Sequence, residues 1–455
     1  MNNKIIAAAC LALCSSASFA ATALPCDKTS AVTMVNTCAV DAKATDFASL
    51  YIAGSSALGS PLGTVVAADL FDTTTQPVIT IKYTGTANAG QVSGWYGMSK
   101  AALTGGTSKR LFVVYNKNNG SAAGVSQMLA KFDGKTTVIP ESDVLTVGPV
   151  AGVAGTCTED TGSTAAAPKL ACSASALRLA DMAISDVAPV ELYKLYAAAT
   201  GKLTSLNAAP LAIQGFGIAV SADLYAALQA AQGTSGQPSI SRSGYASLVT
   251  GTLKSTSALI PGNTTPLTLN RRDDLSGTQA ASNMFFANNA CGVNTDAKGK
   301  LIKGVLGGAL PIIGAAASDA NVTVVEHAVG GNVTAALNSS GFGIGAISLT
   351  SAPGASDTWK FVKIDGTSPN TDAKQRATVA SGDYPFAVMS FAVTYVKPKV
   401  DKSLLTAAVT QGLKDSNLHD LRGIAYLDKS TGIPAVQSLV SRTGNNNCSP
   451  LVKGL

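Results

Sequence analysis

The sequence predicts an α/β protein, and three observations carry that prediction. Short apolar runs of strand length alternate with alanine-rich runs of helical length along most of the chain. Of the 455 residues, 46% are apolar, enough to build sizeable cores without help from a metal. Only 13% are charged, while alanine, glycine, serine and threonine are abundant, which excludes a disordered chain. Collagen is excluded as well, because the 44 glycines follow no triplet period.

Strands are predicted over Ser49–Ile52, Val78–Tyr83, Lys109–Tyr115, Ala212–Val220, Leu267–Asn270, Asn321–Glu326 and Phe386–Val396, where β-branched and aromatic residues cluster. Helices are predicted over Gly124–Phe132, Ala222–Ala231, Gly244–Lys254, Gly277–Asn288, Asn332–Asn338 and Lys402–Lys414. Two stretches read as loops: Leu145–Leu170, rich in Gly, Ala and Thr, and Gly366–Asp383, rich in Thr, Asp and Lys. No internal repeat is present.

Residues 1–20 read as a secretory signal. Lys4 supplies the cationic start, Ile5 to Leu13 is an apolar run too short to span a bilayer, and Ser18-Phe19-Ala20 offers the small residues of a cleavage site. A lipoprotein signal is the weaker reading, since Cys10 falls too early and Cys14 follows Leu13 instead of a small residue. The expectation is a periplasmic or secreted protein with no membrane span in the mature chain. Beyond the signal six cysteines remain, an even number that suits disulfides in an oxidising compartment. Proximity favours Cys26–Cys38 and Cys157–Cys172, which leaves Cys291–Cys448, although six cysteines allow about 15 pairings. A zinc site is the rival, but the sequence has no C-x-x-C pair and only His327 and His419 to assist.

The net charge of +6 is small for the length and forms no long basic run, so nucleic acid is not an expected partner. The nucleophile elbow, the Walker A loop, the H-E-x-x-H helix and the dinucleotide fingerprint are all missing. Both histidines sit in polar surroundings and read as surface residues. The sequence therefore predicts no enzyme and no cofactor.

One segment carries specific chemistry. From Leu267 to Thr278 the chain reads as a strand, a charged turn and a helix opening. Ser276 is a natural N-cap, and Gly277 lets the backbone approach a ligand closely. The N–H groups of Gly277, Thr278 and Gln279 would then face outward at the positive end of the helix dipole. Arg272 can present its planar fork to a tetrahedral oxyanion, and Asp274 can brace that guanidinium from behind. An ordinary capped helix with a surface Arg–Asp pair explains the same residues.

The local order R-x-D-x-S-G-T over Arg272–Thr278 resembles the signature of the periplasmic phosphate-binding proteins that feed ABC-type phosphate transporters. Further segments resemble the family in the same chain order. Gly54-Ser55-Ser56-Ala57 looks like the first glycine-rich turn, with Ser56 as its hydroxyl. Asn119-Gly120-Ser121 is similar to the second such turn, with Ser121 as donor, and Asp181 to Pro189 resembles the segment whose aspartate, here Asp186, contacts phosphate. The likeness runs from about Tyr51 to Val396, with additions before Tyr51, between Ser56 and Ser121, and between Ser121 and Asp186.

The resemblance implies a two-lobed periplasmic-binding-protein fold of type 2, with a ligand cleft between lobes joined by hinge strands. One lobe would take residues 21–218 and 347–455, the other 219–346. It implies a monomeric binding protein with inorganic phosphate or a related oxyanion as ligand and ABC permease subunits as partners. The phosphate contacts would be Ser56, Ser121, Asp186, Arg272, Asp274, Ser276, Gly277 and Thr278. Asp186, if ionised, would accept the ligand's proton, which sulfate lacks near neutral pH. Two other expectations share these residues: an extracellular phosphate scavenger or sensor without a permease, and a secreted structural or interaction protein with a vestigial anion site.

Overall fold

The structure is a computed structural model. It describes residues 46–453 except 75, 85–90, 119, 134–156, 174–178, 193–201, 290, 292–293, 296–300, 303–311, 370–373, 399–401, 415–421, 427–437, 439, 443–445 and 450. The signal segment, the Cys26–Cys38 pair and His419 lie outside the described residues.

By its internal contacts the chain forms two compact units. The smaller takes the described residues within Met1–Ser49, Phe71–Val113 and Val147–Ala176; the larger takes those within Leu50–Leu70, Val114–Thr146 and Leu177–Leu455. Both segments expected to form separate lobes contribute to the larger unit.

The smaller unit is built on the Ile79–Tyr83 strand, whose residues alternate between buried and exposed, the period of a half-buried strand. It pairs antiparallel with Val92–Met98 and parallel with Lys169–Cys172, which pairs antiparallel with Cys157–Glu159. Cys157 and Cys172 stand opposite each other in that last ladder and form a disulfide, with Cα atoms 4.0 Å apart. The expected loop Leu145–Leu170 therefore ends in strand. Cys157–Glu159 is only three residues long and carries no apolar pattern, so the ladder and the disulfide define it.

In the larger unit the strands lie in the order Val322–His327, Leu267–Arg272, Phe342–Ser348, Leu206–Val220, Ala387–Tyr395, Met182–Ser185 and, from Leu50 onward, Phe47–Gly54. The first three are mutually parallel, and Met182–Ser185 runs parallel to Ile52–Gly54. Leu206–Val220 has 15 residues and two long partners, and the short strands Lys360–Phe361 and Ile424–Tyr426 also pair with it. Leu206 to Gly215 pairs antiparallel with Ala387–Tyr395, and Phe216 to Val220 pairs antiparallel with Phe342–Ser348. One continuous strand thus links two groups of parallel strands.

The core of this unit gathers on that strand. Phe216 meets Phe386 at 5.5 Å between ring centroids, and Phe386 in turn stacks on Phe285 at 5.0 Å and meets Phe286 edge-on at 5.1 Å. Burying each such ring contributes about 1.5–3 kcal/mol. The six expected helices form with shifted ends: Gly120–Asp133, Ala222–Gln232, Arg242–Val249, Gly277–Ala287, Gly330–Leu337 and Ser403–Gly412. The expected loop Gly366–Asp383 contains a short helix, Ala377–Ser381, whose Val379 is buried in the core. A second disulfide joins Cys291 to Cys448 across 157 residues, as the cysteine spacing predicts. Among the described residues no helix is long and apolar enough to cross a membrane, and no cluster of His, Cys, Asp and Glu is arranged to hold a metal.

Candidate functional site

The site residues converge within the larger unit. The Met182–Ser185 strand is buried throughout and delivers Asp186 at its C-terminal end. Its parallel neighbour ends at Gly54, whose φ of +128° and close approach to the Ile184 carbonyl admit only glycine. The chain turns there, Ser55 N–H bonds the Ile184 carbonyl at 2.8 Å, and the Ser55 hydroxyl is placed on Asp186 Oδ1. Ser55 Oγ also accepts from Ala57 N–H at 3.2 Å, and the Tyr115 hydroxyl donates to the Ser55 carbonyl.

Ser121, in the first turn of the Gly120–Asp133 helix, faces the same carboxylate. Its hydroxyl lies 3.4 Å from Asp186 Oδ2 and accepts from Asp186 N–H at 3.1 Å. Asp186 is 3% exposed. Burial pushes its pKa up; hydrogen bonds from Ser55, Ser121 and Gln214 and the charge of Arg272 oppose that push.

The Leu267–Thr278 segment forms the strand, turn and helix the sequence predicts. Ser276 is the N-cap, accepting from Gln279 N–H at 3.4 Å. That bond removes Gln279 from the expected set of free amides and leaves Gly277 and Thr278 N–H without partners among the described residues. Gly277 packs so closely on the aspartate that a Cβ there would lie 2.2 Å from Ser121 Oγ and 2.5 Å from Asp186 Oδ2.

Arg272 is 3% exposed. Its Nε and Nη2 donate to the carbonyls of His327 and Ala328, at 3.1 and 2.7 Å, and its N–H donates to Gln279 Oε1 at 3.0 Å. No carboxylate forms an ion pair with it among the described residues. Burial pulls its pKa down, against the charges of Asp273 and Asp186. A buried guanidinium fixed by carbonyls keeps its charge available to an anion.

Two expectations are corrected here, on Asp274 and on His327. Asp274 does not brace Arg272; it ion-pairs with Arg271, three residues earlier, whose Nη1 also bonds the Ile313 carbonyl at 2.8 Å. Adjacent strand residues point to opposite faces, so Arg271 and Arg272 reach different partners. The hydroxyl bonded to Asp186 in the first turn belongs to Ser55; Ser56 beside it is half-buried, its carbonyl accepting from Gly59 N–H at 3.3 Å. His327 is half-buried instead of exposed, with Nε2 2.9 Å from Asn270 Oδ1 and its pKa lowered by burial and by Arg272. Gln214, fully buried beside Asp186, escaped the sequence reading because it lies in an apolar strand, where no motif marks it.

Ser55, Ser121, Asp186, Arg272, Gly277 and Thr278 thus come together in the larger unit, hydrogen-bond donors beside a buried carboxylate. No family model and no curated protein matches the chain. Among solved structures it is similar to a candidate phosphate ABC transporter substrate-binding protein from Clostridium perfringens with bound phosphate, at 12% identity over 82% of this chain and 99% of that one, with a TM-score of 0.42. It is also similar to an ABC-type phosphate transport receptor from Vibrio cholerae (14% identity, 80% and 94% covered, TM-score 0.40) and to PstS from Borrelia burgdorferi (12%, 81% and 93%, 0.34).

Proposed function

We propose that the protein captures inorganic phosphate at this site, in the periplasm, and delivers it to an ABC-type importer. The observation that carries the reading is Arg272, a buried cation without an ion-pair partner among the described residues, set beside the N-terminus of the Gly277–Ala287 helix. Arg272, the Gly277 and Thr278 amides and the Ser56 and Ser121 hydroxyls would satisfy the acceptor oxygens. Ser276 acts through the cap, which orients those amides. Asp274 acts through Arg271 and shapes the turn without touching ligand.

Asp186 supplies selectivity. A carboxylate has about four acceptor positions, and once the Ser121 hydroxyl turns to the ligand the Ser55 and Gln214 bonds leave room for a ligand proton. Phosphate near neutral pH carries such a proton and sulfate does not, so sulfate would leave the carboxylate facing a bare anion, at a loss of roughly a hundredfold or more in affinity. Ser55, Ser121 and Asp186 belong to the first expected lobe, and Arg272, Gly277 and Thr278 to the second. The expected boundaries, after residues 218 and 346, fall on Ile218 and Ala346, which are partners across the antiparallel ladder. Ligand would hold a hinge there closed.

Calorimetry of the mature chain, stripped of co-purified ligand, tests the reading with phosphate and sulfate in parallel. One-to-one binding selective for phosphate supports it. Equal binding of sulfate removes the role given to Asp186, and no heat with either anion removes the function.

A further inference from the structure

A cavity of about 440 Å³ opens in the larger unit, lined from the C-terminal end of the Gly277–Ala287 helix and from the C-terminal hairpin, in which Val440–Arg442 pairs antiparallel with Leu451–Lys453. That volume suits a small organic molecule. The Cys291–Cys448 disulfide joins the two elements, and both of its residues line the cavity. Phe285, Pro385, Val388 and Leu451 give it apolar walls. Arg242 and Arg442 line it too, and among the described residues no carboxylate does.

Arg442 is held by main-chain carbonyls. Its Nη1 donates to those of Asn447 and Ser449, and its Nη2 to that of Ala387 at 2.5 Å. Its Nε is buried and has no hydrogen-bond partner among the described residues. Glu191 acts on this guanidinium through space, but its own oxygens accept from Asn447 N–H, Asn447 Nδ2 and Ala188 N–H, at 2.6, 2.8 and 2.8 Å. Burial lowers the pKa of Arg442 to about 10, so the charge persists at neutral pH. Arg242 is exposed and caps the helix, with Nε and Nη2 on the Phe285 carbonyl and the guanidinium 4.2 Å from the Phe285 ring centre. Asp365 meets Arg242 at its main-chain N–H, 2.9 Å away. Neither arginine forms an ion pair among the described residues.

The carbonyl bonds account for where the two guanidiniums stand. They do not account for two cations and an orphaned N–H at one cavity, because like charges repel and a buried donor without a partner costs stability. A neutral apolar molecule would leave both cations unanswered. A bare inorganic anion would leave the apolar walls without a partner. A molecule with a carboxylate head and an apolar body answers both features.

We propose that this cavity binds a small organic carboxylate, its head on Arg442 and Arg242 and its apolar body against Pro385, Val388 and Leu451. The inference does not rest on the phosphate reading, since none of the proposed phosphate contacts lines the cavity.

The test is calorimetry of the full mature chain with butanoate, hexanoate and octanoate, each paired with the alcohol of equal length, in the absence and presence of excess phosphate. The carboxylates should bind one-to-one, with affinity rising by up to about fourfold per methylene as the apolar body lengthens. Each alcohol should bind at least about tenfold more weakly than its acid, and phosphate should change neither result. Arg442→Gln should weaken octanoate binding by roughly tenfold or more, and Arg242→Gln by a smaller factor, with phosphate affinity kept in both. Equal binding of acids and alcohols, carboxylate binding that phosphate abolishes, octanoate affinity unchanged in both variants, or no heat with any of the three acids overturns the inference and leaves phosphate capture standing. If Arg442→Gln fails to fold, the exposed Arg242→Gln and the comparison of acids with alcohols decide.

Discussion

Arg110 in the smaller unit and Arg272 in the larger are both buried, at 5% and 3% exposure, yet their surroundings are opposite. Arg110 donates from Nε and Nη2 to the Asp46 carboxylate, at 2.9 and 2.7 Å. Burial lowers its pKa, but the bonds and charge of Asp46 outweigh burial and leave it raised. Among the described residues Arg272 hydrogen-bonds main-chain carbonyls and Gln279, and burial leaves its pKa lowered. A cation with a fixed carboxylate is neutralised within the fold, while one held by carbonyls keeps its charge available to an anion. Under the proposed function, the difference separates a structural region from a binding region within one chain.

The largest expected effect breaks this contrast at Arg272. Arg272→Ala should lower phosphate affinity by about 2–5 kcal/mol, at least thirtyfold, because the anion loses its charged partner in a buried site. Arg110→Ala should leave affinity unchanged and lower the stability of the smaller unit. Titration calorimetry and thermal melts of both variants decide the matter; equal losses of affinity would show that the contrast is not functional.

Replacing Cys157 and Cys172 together by serine should destabilise the smaller unit by about 3 kcal/mol, the loop-closure value for their separation of 15 residues. Phosphate binding should survive, because every proposed contact lies in the larger unit. Denaturant unfolding followed beside calorimetry checks both halves of that statement.

Gly277→Ala should weaken binding by about 1–3 kcal/mol, since the added methyl would collide with Ser121 Oγ and Asp186 Oδ2. Gly233→Ala serves as a control of a different kind. Its Cβ would meet nothing within 4 Å but its φ is +59°, so it should lose a little stability and no affinity.

The smallest effect concerns pH. Burial raises the folded-state pKa of Asp186, so folding takes up a proton between the ordinary carboxylate value and the raised one. Its contribution to ligand-free stability is fully present below the ordinary value and is lost as pH rises through the raised value. Melts of ligand-free protein across the mildly acidic range should show that loss, and Asp186→Asn should flatten it. An unchanged profile in Asp186→Asn would assign the slope to other buried carboxylates, of which Glu191 is one, its pKa also raised by burial.

Much of the fold was legible because periodicity and propensity act locally. All seven expected strands and six expected helices are present, with ends displaced by up to six residues. Among the strands that escaped were Val92–Met98 and Phe342–Ser348, each carrying two glycines, and Met182–Ser185, four residues long. Glycine weakens a strand's own signal, and these strands form because paired neighbours supply the missing preference. The Arg272–Thr278 segment was legible for a similar reason. A cap, a glycine and the start of a helix lie within seven residues, and their geometry follows from the backbone alone.

By itself the sequence determined the α/β alternation, the capped helix at Ser276, and the place of an arginine and a glycine beside the start of that helix. Tertiary structure decided which groups those residues meet. It set Asp274 on Arg271, put the Ser55 hydroxyl on Asp186, and brought Gln214 beside that carboxylate from elsewhere in the chain. It also assembled Ile79–Tyr83, Val92–Met98 and the Cys157–Cys172 ladder into one sheet. The physical reason is range. Capping and propensity act over a few bonds, whereas burial and charge act through space, between residues whose separation along the chain says nothing of their distance.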